Sequence, residues 1–115
     1  MHEYSVVSSL MDLCEVHARK HNATKIERVV VSIGERSAMD KQLFMSAFET
    51  FKEELDICKD AVLDIVEEKA ELTCLNCSFV FIPATLEYGQ CIRCGSQNVR
   101  ISKGTEMQLL SLEMV

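Results

Sequence analysis

No feature of the chain restricts its folding more than a doubled cysteine motif. Cys74-Leu75-Asn76-Cys77 and Cys91-Ile92-Arg93-Cys94 are two C-x₂-C pairs separated by thirteen residues. Two residues between cysteines let one tight turn aim both sulfurs at one point, and two such turns supply four thiolates at roughly 2.3 Å from a zinc ion. Gly95 follows the second pair directly and permits the sharp backbone path that brings amides to the sulfurs. A cytosolic redox motif shares the C-x-x-C spacing but needs only one pair, so the doubled motif reads as zinc. Four protein ligands close the shell against water and substrate, which makes the ion structural.

The segment that carries the motif, residues 71–103, also holds the only proline, Pro83. Its scattered apolar residues are too few for a core of their own, so metal ligation is expected to hold it. The rest of the chain carries regular periodicities. From Ser5 to His21, Val6, Val7, Leu10, Leu13, Cys14 and Ala18 recur at spacings of three and four, opposite Ser8, Asp12, Glu15 and Arg19, which predicts an amphipathic helix. His17, Arg19, Lys20 and His21 crowd its last turn, where cations meet the negative end of the helix dipole, and Asn22 can stop it. The two histidines read as helix-end surface groups. Cys14 reads as a small core residue.

Lys25 to Ile33, with the run Val29-Val30-Val31, predicts a strand broken at Gly34. A second helix follows, capped by Asp40 or Ser37, with Leu43, Phe44, Ala47, Phe48, Phe51 and Leu55 as its buried stripe and an end near Cys58. Ala61 to Val66 predicts a second strand continuing into Leu72. Met107 to Met114, with Leu110, Leu112 and Met114 on one face, predicts a third. The expected fold is α/β (α+β), two helices packed on a three-stranded sheet with an inserted zinc-ribbon-like domain. The domains are then 1–70 with 104–115, and 71–103.

A chain of 115 residues with 48% hydrophobic content and no Trp suits one compact domain with an aliphatic core and a small satellite. No run approaches the roughly 20 apolar residues of a membrane span. The start has neither the basic cluster nor the apolar stretch of a secretory signal, so a cytoplasmic location is expected and the six cysteines read as thiols or ligands. The formal net charge is −6, whereas a phosphate-binding surface should be basic. Glu53, Glu54, Asp64, Glu67, Glu68 and Glu71 read as a solvated face.

His2 sets three nitrogens in chelating sequence: the terminal amine, its own amide and its imidazole Nδ1. Such donors suit Ni(II) or Cu(II) in a tetragonal field; the same residues also read as a solvated terminus. Met1-His2-Glu3, the stretch Gly34-Glu35-Arg36-Ser37-Ala38-Met39-Asp40, the paired C-x₂-C motifs and the last strand together resemble the HypA/HybF family of nickel metallochaperones over essentially the whole chain. The resemblance implies Ni(II) as transported cargo, held by His2 with backbone nitrogens from Met1 to Glu3, and carboxylates of Glu3 and Asp40 as further candidates. Asp40 reads equally as a helix N-cap. The resemblance also implies structural Zn(II) on Cys74, Cys77, Cys91 and Cys94. Where some family members carry a histidine beside each zinc knuckle, this chain has none, so an all-cysteine shell is expected from about pH 5 to 8.

The implied function is delivery of nickel during maturation of [NiFe]-hydrogenase and urease. The implied partners are the GTPase HypB, the hydrogenase large subunit and the nickel-donating urease accessory protein. Nucleic acid and membrane are not expected partners. The competing reading is a zinc-ribbon nucleic-acid-binding or protein-adaptor module, supported only by the cysteine pairs. An enzyme using Glu3, Asp40 or Cys58 beside a metal is the other rival, and no recognised catalytic signature accompanies those residues.

Overall fold

Helix α1 spans His2–Lys20 in the computed structural model, which describes residues 2–83 and 89–115 and, of His2, the backbone only. The helix starts three residues before the expected Ser5. Glu3, in its first turn, favours that early start because a carboxylate complements the positive end of the helix dipole. The other end closes on Asn22, whose φ of 55° is left-handed. Ala23 N–H donates to Ala18 O at 2.8 Å and Asn22 N–H to Arg19 O at 3.2 Å, the pair of bonds that defines a Schellman cap.

Val7, Leu10, Cys14 and Ala18 on α1 are fully buried, and Met11 nearly so. Leu13, expected on the stripe, is 45% exposed. At 3.6 residues per turn the row through positions 7, 10, 11, 14 and 18 faces inward, which leaves position 13 on its flank. Met11 takes the place the sequence reading gave to Leu13.

Strand β1 runs Ile26–Gly34, and helix α2 runs Lys41–Lys52 with Phe44, Ala47 and Phe48 buried. Asp40 Oδ1 accepts the Leu43 N–H at 3.1 Å, so Asp40 caps the helix. The two helices pack together, with the Tyr4 and Phe51 rings edge-on at 6.1 Å. Helix α2 ends at Lys52 rather than near Cys58. Glu54 N–H and Leu55 N–H bond back only three residues, to Phe51 O and Lys52 O, and this tightening ends the α-helical ladder before a separate 3₁₀ turn at Asp56–Cys58.

Strand β2, Val62–Glu68, and strand β6, Met107–Met114, flank β1 in a three-stranded sheet ordered β2-β1-β6. On the sheet Val29, Val31 and Ile33 are fully buried. The expected continuation of β2 into Leu72 is not found. The strand is interrupted at residues 69 and 70, where the Glu35 carboxylate accepts the Ala70 N–H at 2.5 Å, and Glu71–Cys74 forms β3 of a second sheet.

That second sheet has the order β4-β3-β5, with β4 at Val80–Phe81 and β5 at Val99–Lys103. Both pairings are antiparallel; Leu72 lies opposite Phe81 on one side and Ile101 on the other. Contrary to the expectation from sequence, the cysteine segment has a core. Leu72, Cys74, Phe81 and Cys91 are buried, with Cys77, Phe79 and Val99 packed against them. Three cysteine side chains, those of Cys74, Cys77 and Cys91, add apolar bulk that a count of aliphatic residues overlooks.

The chain divides into two compact units: Met1–Val31, Met39–Val66 and Gln108–Val115 make the first, and Ser32–Ala38 with Glu67–Met107 make the second. In the second unit Gly34 faces the Gly104 backbone so closely that a Cβ at 34 would stand 2.1 Å from the Gly104 carbonyl. Arg36 N–H donates to Gly104 O at 2.8 Å, and Glu68 Oε1 accepts the Gly104 N–H at 3.0 Å. The first part of the Gly34–Asp40 stretch is thus a backbone clamp. Among the described residues no helix is long and apolar enough to cross a membrane.

Candidate metal centres

Each C-x₂-C pair folds into the same local shape. Asn76 and Cys77 N–H groups point at Cys74 Sγ at 3.3 and 3.4 Å, and Arg93 and Cys94 N–H groups point at Cys91 Sγ at 3.3 and 3.4 Å. One step further, Ser78 N–H donates to Cys74 O and Gly95 N–H to Cys91 O, both at 3.0 Å. Closing those turns requires left-handed backbone, with φ of 65° at Ser78 and 77° at Gly95. Gly95 meets that need freely, whereas Ser78 meets it under strain.

The two turns bring the four sulfurs together, all within 4.8 Å of one another. Cys74 and Cys94 sulfurs are 3.6 Å apart, and Cys77 and Cys91 sulfurs 3.7 Å. Four sulfurs at tetrahedral positions about 2.3 Å from one zinc ion would stand roughly 3.8 Å apart. The donor set therefore fits zinc in both chemistry and size.

The sulfurs also need a cation. The Ser96 backbone N–H, helped by the Asn76 amide, holds the Cys94 thiol down to about 6. Cys91 is likewise lowered, chiefly by the Cys94 backbone N–H. Cys77, despite a backbone bond at Phe79 that favours its thiolate, is pushed up to about 11 by desolvation and the neighbouring sulfurs. Donated N–H groups stabilise some thiolates, but four of them cannot ionise together without a metal to neutralise the charge. Asn76, whose Nδ2 lies 3.7 Å from Cys94 Sγ, escaped the sequence reading because an Asn between cysteines carries no signal of its own.

The other candidate residues lie at the start of α1 and of α2. Met1 and the His2 side chain lie outside the described residues. His2 is the first helical residue, so its backbone N–H has no intrahelical acceptor. Glu3 is only 6% exposed, and its Oε2 accepts the Asp40 N–H at 2.8 Å. That bond is the main cause that holds the Glu3 carboxyl down to about 2. The structure thus joins Glu3 to Asp40, although 37 positions separate them. Asp40 itself caps α2 and remains exposed. Cys58, the remaining residue of the enzyme rival, is fully buried, as is Cys14.

A four-sulfur cluster that fits a structural zinc ion in one unit, and a Glu3 carboxylate held against Asp40 where two helices begin in the other, suit one class of protein, a small metal-handling protein. Comparison with known proteins gives that class its family. Residues 1–114 match the family model described as "Hydrogenase/urease nickel incorporation, metallochaperone, hypA". The "Hydrogenase/urease maturation factor HypA" of Helicobacter pylori (strain ATCC 700392 / 26695) is 69% identical over 115 residues, which cover 100% of this chain and 98% of that protein. The "Hydrogenase maturation factor HypA" of Helicobacter hepaticus is 46% identical over 114 residues, 99% of this chain and 97% of that one. The solution structure of the Ni metallochaperone HypA from Helicobacter pylori is similar at a TM-score of 0.81 and 68% identity, covering 98% of this chain and 97% of that one. A second solution structure, of HypA protein, reaches a TM-score of 0.85 at 69% identity over 100% and 97% of the two chains. The chain belongs to the HypA family of nickel metallochaperones, which serve nickel incorporation into hydrogenase and urease.

Proposed function

We propose that this chain binds Ni(II) at Met1, His2 and Glu3, with Asp40 beside them, and hands it on during hydrogenase and urease maturation. The observation that supports this reading is the bond from the Asp40 N–H to Glu3 Oε2 at 2.8 Å. It fixes the residue after His2 against the start of α2, and so limits where the chelating nitrogens can go. The imidazole, the terminal amine and adjacent backbone nitrogens supply the principal donors; the carboxylates of Glu3 and Asp40 lie next in line. Zinc on Cys74, Cys77, Cys91 and Cys94 holds residues 71–103 as a structural domain, while residues 1–70 and 104–115 carry the nickel.

The protein is a carrier and not an enzyme, and it works in the cytoplasm. Its partners are the HypB GTPase, the hydrogenase large subunit and the nickel-donating urease accessory protein. Affinity alone does not select nickel, because nitrogen-rich sites bind Cu(II) more tightly; docking and metal supply must do so. Calorimetric nickel titration of the zinc-loaded protein against His2→Ala tests the proposal. Loss of tight nickel binding with zinc content unchanged is expected, and native affinity in His2→Ala would place the site elsewhere.

A further inference from the structure

We propose a second, weaker site for divalent transition metals, Ni(II) included, at the carboxyl end of α1, formed by His17 and His21 beside Met114. The two histidines stand four positions apart, and the helical bond from His21 N–H to His17 O, 3.1 Å long, carries α-helical geometry through both of them. Side chains so spaced share one helix face with Cβ atoms about 5–6 Å apart. Two imidazoles at that spacing can close on one ion at roughly 2.0–2.1 Å each, the arrangement by which helical histidine pairs hold zinc in metalloproteases.

The surroundings differ from those of two ordinary surface histidines. Both line one groove with Leu109, Leu110, Ser111 and Met114 of β6, and His17 is partly buried in it. The Met114 thioether is a soft donor suited to borderline metals. A bound cation also meets the negative end of the α1 dipole. Arg19, two positions from each histidine, pairs instead with Glu15 at 3.3 Å, and both border a different pocket, with Leu55 and Asp56. Two protein imidazoles leave most of the coordination shell open, so metal can enter and leave without displacing a full set of protein ligands. His17 lies about 22 Å along the helix from His2, so one ion cannot use both sites.

The test uses the full zinc-loaded chain carrying His2→Ala, titrated with Ni(II) by calorimetry and followed by NMR broadening at the His17, His21 and Met114 side chains. One nickel equivalent should remain, bound at least about tenfold more weakly than in the native protein, with broadening centred on those three residues. Adding His17→Gln and His21→Gln should abolish it, while the same pair of changes in the native chain should leave the tight site intact. Helicity and zinc content should not move, since the side chains replaced lie in an open groove. Residual nickel binding that survives the double substitution would overturn the proposal, as would the absence of any nickel binding in His2→Ala. If His2→Ala kept native affinity and lost it only with the double substitution, this site would stand and the amino-terminal one would fall.

Discussion

Glu3 and Asp40 meet through a single bond, Asp40 N–H to Glu3 Oε2 at 2.8 Å, and it ties the first turn of α1 to the residue that caps α2. The carboxylate is the acceptor, so a neutral acceptor of the same shape should preserve the junction. Glu3→Gln keeps an amide oxygen and should hold Asp40 in place, whereas Glu3→Ala leaves the Asp40 amide without this partner. Amide exchange at Asp40 should speed up in Glu3→Ala and stay close to native in Glu3→Gln. Equal exchange in both would mean that the bond does not order this junction.

The Glu3 carboxyl titrates near 2, chiefly because the Asp40 N–H favours its charged form. A carboxyl whose pKa is depressed on folding contributes stability above its unfolded value of about 4.3, and that contribution is lost as pH falls through the folded value. Glu3 is therefore ionised throughout the range in which the protein works and adds no pH dependence there. Nickel binding should still weaken from about pH 8 to 5, because amine, imidazole and amide nitrogens must give up protons to the metal. A carbon-detected NMR titration should show the Glu3 carboxylate unchanged over that range while nickel affinity falls.

Much of this was legible in the sequence. Periodicity gave both helices and the three strands of the larger sheet, and the doubled C-x₂-C spacing gave the four sulfurs that meet within 4.8 Å. Leu13 and Met11 exchanged places because both fit an approximate three-and-four spacing, and only the packing of α1 decides which flank is covered. The two-residue β4 is too short to carry any alternation, whereas β5 does alternate at Val99-Arg100-Ile101-Ser102 but lies in a segment expected to be held by metal ligation rather than by a core. Nor could the chain alone reveal the Glu3–Asp40 bond, because a contact across 37 positions leaves no local pattern.

The two zinc knuckles have the same shape but different residues at their left-handed position, Ser78 with φ of 65° and Gly95 with φ of 77°. Ser78→Gly removes a left-handed strain of roughly 1–2 kcal/mol, offset in part by the greater freedom of glycine in the unfolded chain, and should be neutral to mildly stabilising. Gly95→Ala imposes that strain and should destabilise the zinc-bound unit by about 1 kcal/mol. Competitive zinc chelation on both variants measures the difference. Equal zinc retention in the two would show that these backbone angles are not required.

Zinc removal, or substitution of any of the four clustered cysteines by Ala, should unfold the β4-β3-β5 sheet and its small core. The apparent zinc affinity of small structural sites, about 10–16 kcal/mol, is folding energy for the segment that holds the ion. Hydrogen exchange should show protection lost at Leu72, Phe81 and Val99 while Leu10, Phe48 and Val31 keep theirs. Cys14→Ser and Cys58→Ser change thiols that lie outside the cluster, so zinc content should remain one per chain.

Gly34 has no room for a side chain, because a Cβ there would stand 2.1 Å from the Gly104 backbone. Backbone cannot swing aside as a side-chain tip can. Gly34→Ala should therefore fall in the severe class of single substitutions, about 4 kcal/mol or more. A thermal melt that matched the native protein would contradict the close approach.

If nickel is held by the terminal amine and His2, as proposed, lengthening the chain at its start should abolish tight binding. One added residue turns the terminal amine of Met1 into an ordinary amide and moves His2 out of its chelating position, but leaves the zinc cysteines and the helix stripe untouched. Nickel titration of native-start and extended proteins, read by calorimetry and ultraviolet charge-transfer absorption, should show tight binding only in the native-start protein, with equal zinc content and helicity in both. An extended protein that bound nickel with native affinity and the same absorption spectrum would contradict the account.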